Sequence, residues 1–177
     1  NPTRATITDA TGILTITDDD SAPSLSIADV AVSESAGTAT MTVTVSAASG
    51  KDITVDYASS NGTAAAGSDY TAASGSLTIA AGATTKTFTV SITNDSTDEN
   101  NETVTLTISN AANASISDAT ATLTINDDDA APSLSIADAT TTDESAASTN
   151  LTVSLSAASA KSITVDYATS NGTDRKE

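Results

Sequence analysis

The sequence has no cysteine, no histidine and no tryptophan in 177 residues. Without cysteine there are no disulfides and no thiolate chemistry. Without histidine the usual general base at neutral pH is missing. Together these absences exclude serine- and cysteine-type triads and zinc sites of the His/Cys kind. Aromatic residues are 2% of the chain, and much of the 38% apolar fraction is alanine, so any core must be thin and built from Val, Ile and Leu. Positive charge is scarce as well. Lys+Arg number 6 against Asp+Glu 23, for a formal net charge of −17 and a pI near 4.1. Phosphate backbones and anionic membrane surfaces repel such a chain, which argues against nucleic acid as a partner. No apolar run approaches the ~18 residues that a membrane helix requires, so no direct membrane insertion is expected. Asn1-Pro2-Thr3-Arg4 does not open a signal-peptide apolar stretch, and the chain reads as an interior piece of something longer.

What is present is repetition. Ala22-Pro23-Ser24-Leu25-Ser26-Ile27-Ala28-Asp29 recurs identically from Ala131 to Asp138, a spacing of 131 − 22 = 109. Thr15-Ile16-Thr17-Asp18-Asp19-Asp20 returns as Thr124-Ile125-Asn126-Asp127-Asp128-Asp129, also at 109. Ile53 to Ala58 returns at Ile163 to Ala168, at 110, which one inserted residue before Glu144 explains. A period of about 109 residues is long for a solenoid unit and suits one independently folded domain. Residues 1–21 then read as the C-terminal strand or strands of a preceding repeat, 22–130 as one whole repeat, and 131–177 as the N-terminal part of a third. The last residues, Thr173 to Glu177, leave the pattern.

Within 22–130 the period is two. Met41, Val43 and Val45 alternate with Thr42, Thr44 and Ser46; Ile53, Val55 and Tyr57 alternate with Thr54 and Asp56. The same holds around Leu77 and Ile79, around Phe88, Val90 and Ile92, around Val104, Leu106 and Ile108, and around Leu123 and Ile125. An opening strand carries Leu25, Ile27, Val30 and Val32. Each strand has one apolar face and one threonine-rich wet face. The expected fold is all-β: a seven-stranded antiparallel β-sandwich, immunoglobulin-like, in tandem repeats. Tyr57 and Tyr167 fall at inward positions and are expected in the core.

If every strand crosses the whole sandwich, successive connections alternate between its two poles. One pole then receives Glu34, Asp69, Asp95, Asp98, Glu99, Glu102 and Asp127-Asp128-Asp129, which are nine of the 13 acidic residues in 22–130. The other pole receives Ala47 to Asp52, Ala80 to Thr84 and Asn110 to Ser115, which are almost uncharged. Acidic turns can simply be solvated, since Asp caps turns well. Nine carboxylates from four connections ask for more. At ~5 Å and an effective dielectric of about 20, each close pair repels by roughly 3 kcal/mol, and a shared cation relieves this. The donors are all oxygens, which is hard-cation chemistry, and Ca²⁺ suits a flexible multi-loop site better than octahedral Mg²⁺.

The same residues carry a resemblance. Val32-Ser33-Glu34-Ser35-Ala36-Gly37, Asn61 through Tyr70, Gly75-Ser76-Leu77-Thr78-Ile79, Asn94 through Glu102 and Ala121 through Asp129, in that order, resemble the Calx-beta domain. This is the module of sodium–calcium exchangers, integrin beta-4 and many repetitive bacterial surface proteins. The resemblance implies calcium ligands at Glu34, Asp69, Asp95, Glu99, Glu102, Asp127, Asp128 and Asp129. Asn94 stands where strong calcium binders carry Asp, and Asn100 and Asn101 dilute the same loop, which implies fewer or weaker ions. Asp18, Asp19 and Asp20, and Glu144, would be partial ligand sets of the two incomplete repeats.

Function is expected to follow from position. Asp127–Asp129 lie just before Pro132, so an ion there would sit at the joint between repeats and limit its bending; Pro132 adds stiffness through its locked φ. The expectation is a calcium-binding structural repeat of a large extracellular bacterial surface, adhesin, filament or matrix protein. Its partners would be the neighbouring repeats of the same chain, with self-assembly into fibres a further expectation. The alternative is a calcium-sensing module whose bending controls a neighbouring domain. An enzyme is not expected, because the carboxylates lie on convex loop tips with no neighbouring base.

Overall fold

Alternation of Val, Ile and Leu with Thr and Ser resolves into strands in the computed structural model, which describes residues 3–140, 145, 148–170 and 172. Nine strands fall within the middle repeat: β1 (Ser24–Ile27), β2 (Val30–Ser33), β3 (Thr38–Val45), β4 (Ile53–Asn61), β5 (Ser74–Ile79), β6 (Thr85–Ser91), β7 (Glu102–Ala112), β8 (Ser115–Asp118) and β9 (Thr120–Asn126). They form a four-stranded sheet in the order β6-β3-β1-β8 and a five-stranded sheet in the order β2-β9-β7-β4-β5. In β3, Ala39, Met41, Val43 and Val45 are buried while Thr38, Thr40 and Thr44 face water. Leu25, Val55, Leu106 and Leu123 meet these from other strands as one continuous core. Burying each such side chain stabilises the fold by about 1.5–3 kcal/mol.

Nine strands replace the expected seven because the first and the last strands each change sheet midway. The chain leaves β1 at Ala28 and Asp29 and re-enters as β2 in the opposite sheet. There the Asp29 Oδ1 accepts a hydrogen bond from the Thr122 N–H at 2.7 Å, which ties the crossing point to β9. The last strand crosses likewise at Ala119, from β8 to β9. The sandwich is therefore not wholly antiparallel: β1 pairs with β8, and β2 with β9, in parallel. Ser117 adds a hydroxyl bond to the Leu25 carbonyl across the first of these pairs.

Outside the middle repeat less forms. Residues 3–23 carry no strand, and Ile13, Leu14 and Ile16 are exposed. The matching segment Thr120–Asn126 is gripped between β2 and β7, and residues 3–23 have no such neighbours. Beyond the repeat, β10 (Leu134–Ile136) and β11 (Val153–Leu155) pair antiparallel, as β1 and β3 do. Ile163–Ala168 is not a strand. Tyr167, expected in the core, is 92% exposed. Its counterpart Tyr57 is half-buried and stacks on Phe88, with ring centroids 4.0 Å apart; no second Phe exists to cover Tyr167. Glu144 and Thr173–Glu177 lie outside the described residues. Among the described residues, no helix is long and apolar enough to cross a membrane.

Candidate metal centre

The acidic pole is built from four connections. Glu34 opens a 3-10 turn, Glu34–Ala36, between β2 and β3, and Gly37 ends that turn at φ 70°, a left-handed conformation open to glycine. The Glu34 carboxylate is buried and its Oε1 accepts the Asp95 N–H at 2.7 Å. Asp69 lies in the connection from β4 to β5, where its Oδ2 accepts the Ala65 N–H at 2.6 Å. Tyr70 anchors that turn: its ring is buried, and its hydroxyl donates to Asn61 Oδ1 at 2.8 Å. Glu99 follows β6, with its N–H donating to Asp127 Oδ2 at 3.1 Å. Glu102 begins β7, in register with Ile125 of β9. Asp127, Asp128 and Asp129 leave β9, and the Asp127 N–H donates to Asn101 Oδ1 at 3.2 Å.

These carboxylates gather in two groups. Glu34, Asp127 and Asp129 form one, and Asp69, Glu99 and Glu102 the other; within each group the oxygens lie within 4.8 Å of one another. Glu34 and Asp127 of the first group and all three of the second line a common cleft, closed by Ser68, Thr93, Asn100 and Ile125. Of the eight residues expected here, six are thus brought together. Asp95 lines the cleft without joining either group; its Oδ1 accepts the Thr97 N–H instead. Asp128 turns away to accept hydrogen bonds from the Ser33 and Ser35 hydroxyls. Asp98, buried, is engaged by Lys161 at 2.6 Å.

Electrostatics follow the geometry. Burial raises the carboxyls of Glu34, Glu99 and Asp129 above their ordinary values, and repulsion from neighbouring acids adds to it. Glu102 is pushed up to about 7, first by burial and then by Asp69 beside it. Asp98 and Asp128 move the other way, held down by hydrogen bonds from Lys161 and Ser159 and from Ser35 and Ser33 respectively. Crowded acids that retain protons at their ordinary pKa mark a place short of positive charge. One observation tests whether a cation fits. Asp129 Oδ2 is buried with no hydrogen-bond partner, a state that costs free energy unless something positive meets it. The donors are all oxygens, the set that Ca²⁺ takes and that softer metals do not favour.

Sequence reasoning did not find the roles of Ser33, Ser35, Ser159, Lys161 and Tyr70. Serines carry no charge to count, and Lys161 lies 63 residues from its partner. The repeated position Lys51/Lys161 was the signal available.

Comparison with known proteins agrees with this architecture. The Calx-beta domain family matches residues 17–129 and again 127–176. Among solved structures, the apo form of the Calx CBD1 domain is similar with a TM-score of 0.57 and 22% identity, over 62% of this chain and 100% of its own. CBD12 from CALX1.2 is similar with a TM-score of 0.58 and 24% identity, over 64% of this chain and 49% of that one. The calcium binding domain CBD12 of CALX1.1 gives 0.57 and 24%, over 64% and 50%. The chain spans about half the length of these two CBD12 structures. At these identities the likeness is one of fold. No curated protein matches the chain.

Proposed function

The chain belongs to the Calx-beta domain family, and from that premise we propose that its acidic pole binds calcium and thereby stiffens the joint between successive repeats. In this reading residues 22–130 are one complete repeat, flanked by parts of two others. Glu34, Asp127 and Asp129 would hold one ion, and Asp69, Glu99 and Glu102 a second. Asp95 is close enough, in the same cleft, to complete the shell with water and backbone carbonyls. The carrying observation is the buried, partnerless Asp129 Oδ2 among converging carboxylates. One of the similar structures is itself a calcium binding domain.

Calcium supplies positive charge that cancels the repulsion at this pole. The chain's own residues do the rest. Asp127 and Asp129 sit on the exit from β9, five and three residues before Pro132, so fixing their carboxylates fixes the direction in which the next repeat leaves. Thr- and Ser-covered outer faces, with few lysines, suit a long secreted repeat protein of a bacterial surface, adhesin, filament or matrix. The unit is a binding and structural module, with no residue assigned to catalysis.

A calcium titration of the metal-free chain, followed by calorimetry and small-angle scattering, tests this. Binding saturated at low millimolar calcium, a narrower distribution of joint angles and slower proteolysis near Ala130–Ser133 are expected. At a hundred times the dissociation constant the repeat gains about 2.7 kcal/mol. No heat and no stiffening at millimolar calcium would reject the reading; a change of shape already complete at micromolar calcium would favour a sensor over a rod.

A further inference from the structure

The two poles of the repeat are chemically unlike, and the structure shows them meeting. The loop after β11 lies against the acidic pole of the middle repeat. Its Ala160 N–H donates to the Asp98 carbonyl at 3.0 Å. The Ser159 hydroxyl donates to Asp98 Oδ2 at 2.8 Å. The Lys161 ammonium donates to Asp98 Oδ1 at 2.6 Å and reaches Asp127 Oδ2 at 3.4 Å. Both acceptors are shielded from water, with side chains 6% and 8% exposed. The Lys161 side chain is itself 37% exposed, and a partly buried pair of this kind is screened less than one on an open surface.

The contact is written into the repeat. Ala157-Ala158-Ser159-Ala160-Lys161 copies Ala47-Ala48-Ser49-Gly50-Lys51 at a spacing of 110. Asp127-Asp128-Asp129 copies Asp18-Asp19-Asp20 at 109. At the preceding joint, Asp18 and Asp20 line a groove together with Ser49 and Lys51. Lys51 thus shares a groove with Asp18, the counterpart of Asp127, as Lys161 reaches Asp127.

We propose that this loop lysine is a built-in cation by which each repeat docks onto the acidic pole of the repeat before it, and that it shares Asp127 with bound metal. The docking half stands on the contacts above. The sharing half rests on the calcium reading. Lys161 holds the joint when metal is scarce. Its charge, close to a carboxylate that a metal ion also uses, weakens the first binding step by like-charge repulsion.

The chain has no cysteine, so spin labels can be placed at T105C and S154C, both exposed positions. In EDTA the parent protein is expected to give a narrow distance distribution. K161M should broaden it, K161R should restore it, and K86M, which removes the same charge from an exposed position on β6, should leave it narrow. A broad distribution in the parent, or a narrow one in K161M, overturns docking. Calorimetry with calcium chloride then tests the sharing. K161M should bind calcium more tightly, by roughly three- to tenfold; equal or weaker binding overturns that half. Absence of any calcium heat in the parent defeats the calcium reading and the sharing with it, while the EDTA distances still decide the docking.

Discussion

Burial and the neighbouring Asp69 push the Glu102 carboxyl up to about 7, so at neutral pH it is still partly protonated where a cation belongs. The consequence for stability has a definite sign. Well below the ordinary 4.5, Glu34, Glu99 and Glu102 are protonated in folded and unfolded chains alike. As pH rises towards 7 the unfolded chain releases those protons first, and the metal-free fold loses stability. Asp98 and Asp128, held down, act in another window; their contribution is present above their ordinary 3.8 and disappears in stronger acid. Melting temperatures in EDTA should therefore fall from pH 4.5 to 7.5, and saturating calcium should remove the fall. E102Q should flatten the EDTA slope and weaken calcium binding by at least about tenfold, both readable on one set of samples. At this scale the sequence showed which carboxylates share a pole, because strand parity decides that. Where each one points was hidden, since Asp128 is turned by two serine hydroxyls and Asp98 by a lysine 63 residues further along the chain.

Elements position the site through a few close approaches. Gly62 follows β4, and a Cβ there would lie 2.5 Å from the Thr103 carbonyl oxygen, beside Glu102 at the start of β7. The spacing is set by hydrogen bonds, including the Thr103 N–H to Thr63 Oγ1 at 2.8 Å. G62A must therefore push β7 from the end of β4. A loss of about 2 kcal/mol in chemical denaturation is expected, with weaker calcium binding because Glu102 shifts relative to Asp69; unchanged denaturation would disprove the close approach. The strands themselves were legible, since alternation places Met41, Val55, Leu106 and Leu123 inside, as observed. Their division was not. The apolar pattern continues through Ala28-Asp29 and past Ala119, and only pairing partners far along the chain reveal that the backbone changes sheet there. Alternation likewise cannot show that Ile13, Leu14 and Ile16 are left without neighbours.

On the scale of the whole molecule, the charge of −17 is distributed with a polarity. Acid gathers at the pole where β9 ends, and Lys51 lies in the loop between β3 and β4. Lys161, in the loop after β11, meets that acidic pole. The spacing of about 109 residues was plain from identical strings, while contacts across the joint were not, because they link loops far apart in sequence. The parallel pairs β1–β8 and β2–β9 have a mechanical corollary. The first pair of strands and the last pair of strands run side by side in the same direction, so tension applied to the two ends of the repeat slides them lengthwise. Every backbone hydrogen bond in both pairs then resists at once, whereas a hairpin peeled from one end would yield bond by bond. Stretched in an atomic force microscope, the repeat should give way in a single high-force event, and substituting proline for Ala31 at the centre of β2 should lower that force.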